Sequence, residues 1–127
     1  ANKRDGYFLG LKWNLTKEQL FQKRNNLKQD SQAGIIYEYI DNFYGINVDE
    51  CLIVYSFSKE TNKLCRVEIS IPYSEEIKNK IDQKFKELFK TEEFEEDYYG
   101  NSKIKTKYSS ILVLKLDKKI GISFTAR

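Results

Sequence analysis

Histidine is absent from all 127 residues, and that absence removes much of ordinary site chemistry. Histidine is the side chain that titrates near neutrality and the commonest metal ligand. Serine–histidine and cysteine–histidine nucleophiles are therefore excluded, as are zinc sites of mixed Cys/His type. An enzyme built here would have to work with carboxylates, lysine or tyrosine alone. No catalytic, cofactor-binding or metal-binding residue is expected.

Arginine is scarce too. Four of the 22 basic residues are arginine (Arg4, Arg24, Arg66, Arg127) and the rest are lysine, spread along the chain. Nucleic-acid readers concentrate arginine, whose planar fork meets guanine and phosphate through paired bonds, so no nucleic-acid partner is expected. The 19 acidic residues bring the net charge to only +3. No run is both long and apolar enough to span a membrane. Methionine is missing and the chain starts at Ala1, which leaves room for a removed signal peptide and for a lipid anchor upstream.

What is present suits one domain over residues 1–127: 40% of the residues are hydrophobic, enough for one modest core. Residues 1–6 read as a disordered polar start. Thr16 and Gln19 have the spacing of a capping box, with Leu15 placed to staple onto Leu20. Leu20, Phe21, Arg24 and Leu27 share a stripe, which predicts a helix over 17–28. Trp13, just before the cap, is expected to plug the core under that helix. Residues 29–34 read as a loop, 35–41 as a strand and 42–50 as an irregular connection. Residues 51–58 and 63–71 form a predicted hairpin with Glu60, Thr61 and Asn62 at its tip. Asn62 tolerates the left-handed conformation such a tip needs. This register sets Cys65 opposite Phe57 and Cys51 opposite Ile71. The two thiols then lie about 20 Å apart at strand rise, beyond disulfide reach, and are expected to be buried and reduced.

Ser74 caps a second helix over 74–90, with Ile77, Ile81, Phe85, Leu88 and Phe89 at helical spacing. Its lysines at 78, 80, 84 and 86 are expected in solvent. The acidic run 92–97 lacks the ligand spacing of a calcium loop. Residues 103–116 and 119–126 predict a final hairpin about Asp117 and Lys118. Leu112, Leu114 and Leu116 line one face of its first strand. The expected class is therefore α+β: a single domain with an antiparallel sheet of about five strands and two helices packed on one face.

Four stretches carry a resemblance. "FLGLKWNLTKEQL", "CLIVYSF", "NKLCRVEISIP" and "LKLDKKIGISF" resemble small exported bacterial proteins and lipoproteins. Their folds are similar to the β-lactamase-inhibitor-protein and outer-membrane small-lipoprotein domains. Asn14 stands where those proteins usually carry glycine. The resemblance implies export to the periplasm or outer membrane and a protein-binding or scaffolding role, with no catalytic residue to carry over.

The functional expectation is a non-enzymatic interaction or scaffolding module of the bacterial envelope whose partner is another protein. Its surface would be the sheet face left open by the helices. Ser56, Arg66, Glu68, Ser70 and Lys115 are the candidate contact residues, with Val54, Val113, Ser123 and Thr125 beside them. The alternative is a cytoplasmic immunity or inhibitor protein that blocks a toxin or enzyme, using the acidic run 92–97 against a basic site.

Overall fold

The computed structural model describes residues 7–127, so the polar start at 1–6 lies outside the described residues. Thr16 opens α1 (Lys17–Lys23). Its hydroxyl accepts from the Gln19 N–H while the Gln19 side chain accepts from the Thr16 N–H. That reciprocal cap is the one expected from the spacing. The helix stops after seven residues, well short of residue 28. Arg24 takes extended dihedrals and its guanidinium bonds to Glu38 on a strand. Tertiary pairing overrides local helix propensity there.

The strands are β1 (Lys28–Asp30), β2 (Ile35–Phe43), β3 (Ile46–Phe57), β4 (Leu64–Pro72), β5 (Glu93–Glu96), β6 (Ser102–Lys105), β7 (Ser109–Lys115) and β8 (Lys119–Ala126), with α2 (Glu75–Leu88) between β4 and β5. They form one antiparallel sheet in the order β1-β2-β3-β4-β8-β7-β6-β5. This corrects the expected α+β sheet of about five strands with two helices packed on one face. Among the described residues strand predominates, with eight strands and two short helices. Three segments account for the difference. Residues 28–30 pair with β2, and the acidic run pairs with β6. The stretch 103–116 is two strands rather than one, because the Thr106 hydroxyl accepts from the N–H groups of Tyr108 and Ser109 and folds a tight turn.

The predicted "irregular" stretch 42–50 is a hairpin. Phe43 pairs with Ile46, and both intervening residues, Tyr44 (φ 53°) and Gly45 (φ 87°), lie in the left-handed region. Two such residues give the turn whose twist matches the strands it joins. The β3–β4 register follows expectation from Leu52↔Ser70 to Ser56↔Arg66, and Asn62 takes φ 58°. A bulge after Ser56 then sets Phe57 opposite Leu64. Cys65 therefore does not face Phe57; it is half-buried while Cys51 is buried, and both thiols are free.

One sheet face makes the core. A row of buried side chains crosses it from Ile36 through Tyr55, Val67, Phe124 and Ile111 to Ile104. Alternation along each strand puts these residues on the same side. Phe85 of α2 reaches Tyr44 and Phe124 edge-on, at ring distances of 5.5 and 6.3 Å. Phe8 of the N-terminal segment meets Phe124 at 5.4 Å. Each such side chain contributes about 1.5–3 kcal/mol by leaving water. Ser74 caps α2 through the Ile77 N–H, as predicted. Lys78 is not in solvent as expected: it is buried, and its ammonium bonds both oxygens of Asp82 at 2.9 and 2.7 Å. Trp13 is half-buried against the core, and its Nε1 donates to the Ser109 hydroxyl at 2.8 Å. No helix among the described residues is long and apolar enough to cross a membrane.

Candidate functional site

The other sheet face is built by the alternate residues of the same strands. On β3 and β4 it carries Val54 opposite Glu68 and Ser56 opposite Arg66, with Ser70 opposite Leu52. Four of the five candidate residues, Ser56, Arg66, Glu68 and Ser70, are thus brought together. Arg66 and Glu68 stack along one strand, with Nε 3.5 Å from the carboxylate and both side chains about half exposed (48% and 53%). Such a pair contributes at most about 1 kcal/mol to folding. Both charges remain available at the surface.

Lys115 does not belong to this group. Its row on β7 and β8 runs through Ile120, and its ammonium sits 5.5 Å above the ring of Tyr73. The expected placement of Val113 is reversed as well. Val113 faces Ile122 in the core, whereas Leu112 faces Ser123 on the open side. Strand β7 carries aliphatic residues on both its faces, so alternation alone cannot orient it. The two-residue turn decides: the Leu116 N–H bonds the Lys119 carbonyl, which forces Leu112 onto the side of Ser123 and away from Ile122.

The outcome is an apolar ridge on the open face. Leu112, Leu114 and Leu116 are 36%, 36% and 39% exposed. Beside them lies a groove of about 360 Å³, floored by small residues such as Ser70, Gly121 and Ser123 and closed on its far side by Leu52 and Val54. A second depression of about 280 Å³ separates the ridge from Glu95, Glu96 and Asp97. Asp97 shapes that end of the sheet. Its carboxylate accepts from the N–H groups of Tyr99 and Asn101, and these bonds, those from Asn101 first, hold it below the usual carboxylate range.

The acidic run is not a free anionic patch. Glu93 faces Lys105 and Glu95 faces Lys103 across β5 and β6, while Glu96 pairs with Lys86 of α2 at 3.1 Å. Among the described residues no group of three or more cysteine or acidic side chains is placed to hold a metal.

One polar cluster was missed by sequence reasoning. Glu38 is 2% exposed on the core side of β2. It accepts both nitrogens of the Arg24 fork and the hydroxyl of Tyr55. The available signal was a glutamate at the inward position between Ile36 and Ile40. A carboxylate there needs a cation, and Arg24, on the stripe of the predicted helix, supplies it.

No family model, curated protein or solved structure matches this chain.

Proposed function

We propose that this chain is a non-enzymatic interaction module that binds another protein through the open face of its sheet. It works outside the cytoplasm, in the periplasm or at the outer membrane. The observation that carries the reading is the leucine ridge: three leucines stand exposed in line beside an apolar groove. A solvated antiparallel face normally shows polar side chains at such positions, and contiguous exposed apolar surface marks interaction sites. Arg66 and Glu68 at its rim supply orientation rather than raw affinity. The location rests on the resemblance of the four stretches quoted above to small exported bacterial proteins. An inhibitor acting through the acidic run is less well supported, since those carboxylates already face lysines.

The test is capture of partners from the native envelope with tagged wild type, Leu114→Asp and Arg66→Glu. One partner held by wild type and lost by both variants, with melting temperatures nearly unchanged, is the expected result. Equal recovery of every partner by all three forms sinks the reading. Fractionation of native cells checks the location, and recovery in the cytoplasmic fraction alone would count against export.

A further inference from the structure

We infer that the occupant of the open face is a second copy of this chain, related to the first by a two-fold axis running along the strands, with Glu68 of each copy set against Lys103 of the other. This rests on the proposed reading of that face as a binding surface and names its partner.

The first argument is shape. On neighbouring strands, Leu112 and Leu114 of β7 stand directly beside Ser123 and Gly121 of β8, ridge next to trough. A two-fold axis between β7 and β8, parallel to both, exchanges the two strands. Each leucine of one copy then lies over the short residue of the other. Facing sheets pack about 10 Å apart only where such side chains interdigitate.

The second argument is charge. The register runs in one row from Glu68 (β4) through Ser123 (β8) and Leu112 (β7) to Lys103 (β6) and Glu95 (β5). Glu68 and Lys103 are equidistant from the same axis, so the rotation that seats the ridge also brings each to the other's partner copy. With Arg66 already beside Glu68 and Glu95 facing Lys103, the four charges form an alternating chain across the interface. One row along, Arg66 meets Lys105 together with that lysine's cross-strand partner Glu93. The two rows, Arg66, Lys103, Lys105, Glu68, Glu93 and Glu95, sum to zero, and Lys119 lies outside them at the end of the groove. The rows therefore do not repel their copies as a surface of single sign would.

Sedimentation across micromolar to millimolar concentrations tests this with a charge swap. Wild type should dimerise. Glu68→Lys and Lys103→Glu should each weaken the dimer at least about tenfold by setting like charges together. An equimolar mixture of the two variants should recover the dimer, as should the double variant, because opposite signs meet again in both. At concentrations too low for dimers to form, all variants should melt like the parent, since these side chains are exposed. A monomeric wild type, single variants that dimerise like the parent, or a mixture that fails to recover would each overturn the inference. If wild type is monomeric yet Leu114→Asp still loses a partner captured from the envelope, the second copy is wrong and the open-face reading stands. If neither assay responds, both fall.

Discussion

Arg24 donates both arms of its fork to Glu38, Nε to one oxygen at 2.9 Å and Nη2 to the other at 3.0 Å, and this pair ties the end of α1 to the buried side of β2. Glu38 is sealed from water, so Arg24 and the Tyr55 hydroxyl supply the hydrogen bonds that water would. Removing one partner of a buried pair strands the other. Arg24→Ala should therefore cost about 3 kcal/mol in urea unfolding at neutral pH. Replacing the whole cluster (Arg24→Met, Glu38→Leu, Tyr55→Phe) should cost much less. A single variant as stable as the parent would mean that Glu38 finds another partner.

Alkali should probe the same cluster. Burial first, and then the hydrogen bond to Glu38, push the Tyr55 phenol well above the ordinary tyrosine range. Burial, with Glu38 adding to it, pushes the Cys51 thiol up from 9.0 to about 12. In both groups the protonated form is favoured by folding. Their contribution is complete below the unfolded values and is lost as pH rises toward the folded ones. Stability should hold below about pH 9 and then fall, by up to about 1.4 kcal/mol per pH unit for each engaged group. Urea midpoints taken from pH 8 to 11.5 should decline less steeply in Tyr55→Phe than in the parent. Identical slopes would remove Tyr55 from the account.

Trp13 anchors the N-terminal segment to β7 through the buried Ser109 hydroxyl and meets Tyr7 edge-on at 6.2 Å. It is half-buried, so Trp13→Ala should cost about 2–3 kcal/mol. That is below the roughly 3–5 expected for emptying a fully enclosed aromatic site. Trp13→Phe should recover the packing but not the hydrogen bond. Thermal melts of both variants decide this, and an unchanged melt for Trp13→Ala would refute the anchor.

The thiols should differ in access. Cys65 is half-buried and Cys51 is sealed in the core, and reactivity needs an accessible thiolate. Alkylation of the native protein should label Cys65 well before Cys51. Under denaturing, non-reducing conditions intact mass should show two adducts. A missing pair would indicate a disulfide, contrary to the free thiols of the structure.

Local physics was legible where it was strong. Thr16 with Gln19, and Ser74, could be read as helix starts because each cap is settled within a few residues. Asn62 could be read as a left-handed tip for the same reason. Tyr44 was missed because a left-handed tyrosine is tolerated only when strand pairing on both sides holds it there. The early end of α1 was missed because Arg24 answers to Glu38, fourteen residues away.

The sequence by itself determined which residues could make a core and which face of β3 and β4 would carry Ser56, Arg66, Glu68 and Ser70. Alternation of apolar and polar side chains is unambiguous on β4, and the hairpin register carries that choice across to β3. It also determined what chemistry is unavailable to the chain, since no histidine can be supplied by folding. Only the tertiary structure decided the number of strands, the burial of Glu38 and Lys78, and the orientation of β7. On β7 Ile111 and Val113 compete with Leu112 and Leu114 for the core, and both sets are apolar. The contest is settled by register against Ile122 and Phe124, a relation between strands that no single strand contains. The ridge of leucines on the open face, on which the functional reading rests, is the consequence of that choice.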